Sequence, residues 1–312
     1  MKKIGCVNID TSHPRSFAGY LQKSGRAGYY AIYNDGFRGE DEVAGFMKTY
    51  GVQKRCVTLE ELAGNVDACF IHSCDWDRNL GLAEALLKFG KPVFIDKPIA
   101  GRLADCRRLE ELAAGGAVIL GSSSVRYAPE VVELAGQPEA ERGRFLTVFG
   151  SVGVDEFNYA IHIVEAIGGL LGPGAVSCRF LGRAESDGKR SETFLVRFQN
   201  GTTAVYNTCL GVGQPFEMMA VTTRTTHQFR IDSSRIYGAL LDRICDYLET
   251  GVNRLAPVAE LTESVKIMLA GRLSRERGGA EVGLDAIPAD DPGYDGTAFG
   301  KGYAAASKKI YA

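Results

Sequence analysis

Apolar positions follow two rhythms along this chain, and the rhythm changes near residue 121. Before it, short apolar runs at 4–9, 29–34, 66–72, 92–95 and 117–121 read as buried strands. Between them, apolar residues recur three and four apart, the spacing of helices. These helices are 16–24 with Phe17, Tyr20 and Leu21, 40–50 with Val43, Phe46 and Met47, then 79–89 and 105–114. A short connection from Val57 leads into 59–63, and Gly90 suits the residue just past a helix end. Strands separated by helices predict a parallel, doubly wound α/β sheet over residues 1–121.

After residue 121 the pattern favours strands. A helix at 127–135, a strand at 144–152 and a helix at 158–171 precede strand-like runs at 176–183, 192–198, 202–210 and 216–230. Asn200-Gly201 between two β-rich runs signals a hairpin. Helices follow at 237–250 and 261–275. Residues 122–312 therefore read as an α+β domain on a mainly antiparallel sheet. Its last stretch, 285–312, is rich in Gly, Ala, Asp and Pro and is expected to lie as a tail over a domain. Leu195, Val205 and Tyr206 are candidates for an oligomer interface on that sheet. Val205 and Tyr206 are adjacent, so at most one of them points outward.

Composition narrows the function. The 312 residues are 45% hydrophobic and 24% charged, with a net charge of −2, which is ordinary for a globular protein. Basic residues are scattered, so no nucleic-acid partner is expected. No apolar run is long enough to span a bilayer, so no membrane partner is expected. The chain enters a strand pattern at once, without the apolar segment of a signal peptide, and a cytoplasmic location is expected. The eight cysteines are dispersed without a C-x-x-C pair, which favours buried thiols over disulfides or zinc. No His, Cys, Asp or Glu set has metal-ligand spacing, and no metal is expected.

Chemistry concentrates at strand ends. Phe94-Ile95-Asp96-Lys97-Pro98 is an apolar strand that stops at an acid, a lysine and a proline. Proline lacks an N–H and holds the preceding residue extended. Lys97 then stands at the carboxyl edge of the sheet, where open α/β folds bind ligands. The first strand-to-helix turn, Asn8-Ile9-Asp10-Thr11-Ser12-His13, lacks the G-x-G-x-x-G of dinucleotide sites. Thr11 and Ser12 put hydroxyls at a helix N-terminus, which favours anions, whereas Asp10 adds a negative charge beside a pyrophosphate. Asp10, Thr11 or Ser12 serves equally well as an N-cap. His13 faces the same crevice, with capping or packing as its plainer role. Asp35 ends the second strand, where an acid accepts hydrogen bonds from an adenosine ribose, and this tilts the choice from NADP to NAD. Arg38 nearby offers the opposite preference, toward a 2′-phosphate. Ser73-Cys74-Asp75-Trp76 follows the strand that would face the nicotinamide ribose, with Trp76 as a stacking surface or a lid. His72 reads as structural and His227 as exposed.

Taken together, Leu82-Ala83-Glu84-Ala85-Leu86-Leu87-Lys88-Phe89-Gly90-Lys91-Pro92-Val93 and Asp96-Lys97-Pro98 resemble the A-L-x-x-G-K-x-V…E-K-P pattern of the Gfo/Idh/MocA oxidoreductases, with Asp96 for the usual Glu. Ser123-Ser124-Val125-Arg126-Tyr127-Ala128-Pro129 looks like that family's segment entering the C-terminal domain. Asn158-Tyr159-Ala160-Ile161-His162-Ile163-Val164-Glu165 looks like its D-x-G-x-H-x-x-D helix. The likeness spans nearly the whole chain. It implies a Rossmann-like domain and an α+β domain with a large open sheet, paired through that sheet in homodimers or homotetramers. It further implies NAD(P)-dependent oxidation of a sugar or polyol hydroxyl, or the reverse reduction, with Asp96 and Lys97 beside the cofactor. Three positions depart from the pattern. The glycine turn is replaced, in a way that resembles a branch with an Asp-Thr-Ser-His turn. Asn158 stands where an Asp is usual, and Asn79 where a loop His is common.

Removing hydride from an alcohol requires loss of the hydroxyl proton, best to a base of near-neutral pKa. A lysine, at ~10.4, needs burial or a nearby cation to reach that range, whereas histidine does not. Lys97 and His162 are expected to converge on one substrate oxygen, one exchanging the proton and the other polarising. Asn158 and Glu165 share the helix face of His162. Glu165 is expected to orient the imidazole, Asn158 to bind a substrate hydroxyl, and Arg126 and Tyr127 to bind substrate. The alternative is a non-redox relative, a lyase, isomerase or ligand-binding regulator that has lost its nucleotide.

Overall fold

The computed structural model describes residues 1–307. Its first sheet comprises β1 (Lys2–Val7), β2 (Ala27–Tyr33), β3 (Lys54–Cys56), β4 (Ala68–Ile71), β5 (Val93–Asp96) and β6 (Ile119–Ser122). All pairs are parallel, in the order β3-β2-β1-β4-β5-β6. The order reverses between β1 and β4, and the crevice at such a switch point is the ligand site of doubly wound folds. β4 and β5 are buried at every residue, as strands covered on both faces must be. The covering helices are α1 (His13–Ser24), α2 (Glu40–Tyr50), α3 (Leu59–Gly64), α4 (Asn79–Leu87) and α5 (Leu103–Ala114). α1 starts three residues earlier than its apolar spacing suggests. Pro14 explains this, because its fixed φ and missing N–H suit a first helical turn. Ser12 is the N-cap residue, without a side-chain capping bond.

α6 (Pro129–Gly136) and α7 (Glu139–Arg142) lead to the second sheet. Its strands are β7 (Phe145–Val154), β8 (Ala175–Ser186), β9 (Lys189–Phe198), β10 (Thr203–Leu210), β11 (Glu217–Thr222), β12 (Thr226–Arg230) and β13 (Val282–Gly283). They pair in the order β12-β11-β7-β10-β9-β8-β13, antiparallel except for β7 with β10. α8 (Ala160–Leu171) packs under β7, where Gly150 leaves room for Ile163, and α9 (Ile236–Thr250) and α10 (Val258–Glu276) follow β12.

Two turns differ from expectation. The single run at 216–230 is a hairpin, because the Thr222 hydroxyl accepts from the N–H groups of Arg224 and Thr225 and folds the chain back. β8 and β9 extend to meet at Asp187-Gly188, whose φ values of 52° and 71° are those of a tight hairpin turn. On the open face Val205 lies opposite Leu195 and beside Phe149, which in turn faces Met219. Tyr206 points the other way and is 1% exposed, stacked on Phe194, so it is a core residue rather than an interface candidate.

The tail is more ordered than its composition suggests. Residues 296–306 form α11 (Gly296–Ala306), N-capped by Asp295, despite three glycines in its sequence. It docks on the loops after β4 and β2: Phe299 packs on Trp76, Gly296 N–H donates to Asp77, and Tyr303 packs on Phe37. A Cβ on Gly296 would stand 2.8 Å from Asp75, so close approach requires glycine there. The remainder of the expected tail, 308–312, lies outside the described residues. No described helix is long and apolar enough to cross a membrane.

Candidate active site

β5 delivers Asp96 and Lys97 to the carboxyl edge of the first sheet. Lys97 Nζ donates to Asn158 Oδ1 at 2.8 Å and to the Asn158 carbonyl at 3.1 Å. Asp155 fixes that amide by accepting from Asn158 Nδ2 and, through its other oxygen, from Tyr159 N–H. Asn158 thus holds the lysine rather than being free for a substrate hydroxyl. Burial holds Lys97 below the ordinary lysine range, against the opposing pull of Asp96 and Asp155.

His162 stands in the first turn of α8 and is 5% exposed. Its Nδ1 lies 2.6 Å from Ser123 Oγ, which also accepts from Val125 N–H. Ser123 N–H in turn donates to Glu165. Glu165 therefore reaches the imidazole through Ser123 and not directly, which corrects the expected contact. Burial, then the charges of Lys97 and His13, hold His162 well below the usual histidine range. Burial pushes Glu165 up to about 7, with Arg126 and the bonds from the Ser122–Ser123 segment pulling the other way.

His13 is the residue whose role changes most. Its Nδ1 lies 2.8 Å from Asp96 Oδ2, and its ring packs on Phe17 and Tyr237, 6.5 Å from the His162 ring. Asp96 Oδ2 also meets His72 Nδ1 at 2.9 Å, and His72 Nε2 meets the Tyr29 hydroxyl at 2.7 Å. Asp96 is thus engaged by two histidines and by Lys97 N–H. Burial alone would raise its pKa, but His13 and His72 hold it well below the carboxylate range.

These groups share a cleft of about 330 Å³ lined by Thr11, Ser12, His13, Lys97, Asn158, Tyr159, His162, Tyr237 and Tyr303. A larger cavity, about 700 Å³, lies between α4 and α5 and contains none of them. Arg126 and Tyr127 do not reach the cleft. Arg126 is ion-paired with Glu260, and the Tyr127 hydroxyl donates to the Gly121 carbonyl and accepts from Ala256 N–H. The reason is topological: the turn carrying them passes behind α8, whose Gly168 and Gly169 make room for Arg126. His227 lies in β12 and is half-buried rather than exposed. The eight cysteines are unpaired, seven of them buried.

The crevice toward β2 is built from side chains that the sequence offered for a nucleotide. Asn8, at φ 65°, accepts from Asp35 N–H and Gly36 N–H. Asp10 accepts from Cys74 N–H and lies against Gly36, where a Cβ would come within 2.1 Å of its Oδ1. That oxygen is buried without a hydrogen-bond partner among the described residues. Asp35 pairs with Arg78 at 2.5 Å. Arg38 is buried against Asp10, Glu42 and Ser307. Ser73 and Asp75 bond each other, Thr11 accepts from His13 N–H, and Trp76 lies under α11. The donor set suits a dinucleotide in kind: hydroxyls at the start of α1, an acid ending β2, a polar loop after β4. α11 lies across that crevice, against Trp76 and Phe37.

Asp155 and Ser123 were not singled out from the sequence, although an acid three residues before Asn158 is a local turn signal. Tyr303 gave no signal, since three glycines mask its helix.

Comparison with known proteins places the fold. Residues 4–123 match a family model described as the Gfo/Idh/MocA oxidoreductase family, NAD-binding Rossmann fold. No curated protein matches the chain. Among solved structures, a "probable dehydrogenase" from Thermotoga maritima is 16% identical with a TM-score of 0.76, covering 92% of this chain and 100% of that one. The apo scyllo-inositol dehydrogenase from Lactobacillus casei is 14% identical with a TM-score of 0.76, covering 91% and 98%. An oxidoreductase from Agrobacterium radiobacter in complex with NAD⁺, L-tartaric acid and magnesium is 15% identical with a TM-score of 0.72, covering 92% and 99%. At these identities the structures share the fold. The family match covers the sheet that carries Lys97, and residues 4–123 are a Gfo/Idh/MocA-type, NAD-binding Rossmann fold.

Proposed function

We propose that this protein moves a hydride between a nicotinamide cofactor, NAD in preference to NADP, and a small sugar-like or polyol substrate or its carbonyl form. The observation that carries this reading is that Lys97 and His162 line one cleft of about 330 Å³, the small end of the range for small-molecule sites. Asp35 and the hydroxyls of Thr11 and Ser12 would hold the nucleotide, with Ser73 and Cys74 on the nicotinamide side. When bound, the nicotinamide supplies the hydride acceptor or donor. Lys97, its proton affinity lowered by burial, takes the hydroxyl proton at Nζ and returns it in the reverse direction. The Ser123 hydroxyl accepts from Val125 and turns its own proton toward His162 Nδ1. The imidazole proton then sits on Nε2, where it polarises the substrate oxygen. His13, backed by Asp96, completes the polar wall.

Residues 1–121 would carry the cofactor and 122–312 the substrate and the oligomer contact. Val205, Leu195, Phe149 and Met219 form an apolar row on the open sheet face that suits a homodimer or homotetramer. Eight unpaired, mostly buried cysteines accord with a reducing cytoplasm. Isothermal titration with NAD⁺, NADH, NADP⁺ and NADPH, followed by a polyol and sugar panel, tests the reading. Asp10 in the phosphate turn favours a second one, proton-transfer chemistry without nucleotide. Absence of nucleotide binding, both in the full chain and in a chain ending at residue 294, would select it.

A further inference from the structure

Arg126 is left unexplained by the cleft. Its side chain is 5% exposed, and it lines a separate cavity of about 490 Å³ between α6, α8 and the α9–α10 connection. One end of its guanidinium pairs with Glu260, while Nη1 is buried without a hydrogen-bond partner among the described residues. A buried cationic donor left unpaired is costly. The chain has shaped α8 around it: a Cβ at Gly168 would stand 2.8 Å from Nη1, and one at Gly169 would stand 2.9 Å from the Arg126 carbonyl. Two adjacent glycines weaken a helix interior, so this seat is kept against local helix preference.

Two more arginines line the same cavity. Arg243 donates to the Ala239 carbonyl and lies over the Tyr127 ring, 5.4 Å from its centroid. Arg254 is exposed and makes no ion pair among the described residues. Glu260 is the one carboxylate among the lining residues, so three guanidinium groups share the cavity wall with a single acid. Planar guanidinium forks match the oxygens of a phosphate. We infer that this cavity binds a phosphate dianion, free or as the terminal group of a small metabolite, at a site distinct from the Lys97–His162 cleft.

The test is calorimetric titration of the full chain with inorganic phosphate and with glycerol 3-phosphate at matched ionic strength, chloride serving as control. Saturable binding is expected, weakened at least tenfold in the Arg243→Ala/Arg254→Ala double variant and unchanged in Lys97→Ala. Tighter binding of glycerol 3-phosphate identifies a metabolite site, and equal binding identifies a free-phosphate site. Both support the inference. Arg126→Lys keeps the charge and loses the fork, and should also weaken binding. Should that variant not fold, the double variant, altered nearer the surface, still decides. No saturable binding up to tens of millimolar overturns the inference, as does binding that the double variant leaves intact or that Lys97→Ala abolishes.

Discussion

His13 Nδ1 lies 2.8 Å from Asp96 Oδ2, so the wall of the cleft is a histidine backed by a buried carboxylate. Asp96 has a depressed folded-state pKa. Its stabilising effect is therefore present above the unfolded value near ~4 and lost as pH falls through the folded one. Asp96→Asn should cost about 3 kcal/mol at neutral pH, since it strips a buried network of its charge. It should also flatten the acid limb of a melting-temperature profile. A variant as stable as the parent at pH 7 would remove Asp96 from the core of this network.

Lys97→Ala and His162→Ala should each lower kcat by roughly 10²-fold or more while the far-UV spectrum stays unchanged. Oxidation should rise with pH through a midpoint below that of a free lysine, because burial lowers the Lys97 pKa. Asn158→Ala removes an acceptor of the charged ammonium and should move that limb to lower pH. A limb that persists in Lys97→Ala belongs to another group.

Glu165 behaves oppositely to Asp96. Its folded pKa, about 7, lies above the unfolded value, so the folded state holds the proton longer and stability declines as pH rises between the two. The decline should be on the order of 3 kcal/mol, since each pH unit between the two values contributes about 1.4 kcal/mol. Glu165→Gln should abolish it in denaturant titrations at pH 5 and pH 8. An equally steep decline in the variant assigns the effect elsewhere.

Deleting α11 after residue 294 should strengthen NADH binding severalfold if the helix stands in the nucleotide path. It should lower thermal stability as well, since Phe37 and Trp76 lose their cover. Weaker NADH binding after deletion would make α11 part of the binding wall instead.

Val205→Arg should leave the fold intact and convert an oligomer to monomers by light scattering, because Val205 lies on the open sheet face. Tyr206→Ala, one residue on, should cost about 3 kcal/mol or more by opening a cavity beside Phe194.

The first sheet was legible because its strands are buried on both faces and its helices keep strict apolar spacing; Val93–Asp96 and Ala68–Ile71 could hardly read otherwise. Lys97 was legible for the same reason, as a charge ending such a run. What sequence spacing could not show was contact across the fold. Nothing local says that Asp96 meets His13, 83 residues away, or that Ser123 stands between Glu165 and His162. Arg126 and Tyr127 were misplaced because a motif gives position along the chain, not the side of α8 on which the chain passes. α11 was missed because its glycines, chosen for close approach to Asp75, imitate a loop.

Trp76 is the only tryptophan of the chain. Its indole donates to the Tyr294 carbonyl at 2.7 Å, and its ring is enclosed by Phe157 on one side and by Phe299 of α11 on another. The protein therefore carries its own optical gauge. Excited at the red edge of the absorption band, beyond its 13 tyrosines, the chain emits from this one ring, and because Phe299 covers it, a red shift is the expected signature of α11 lifting.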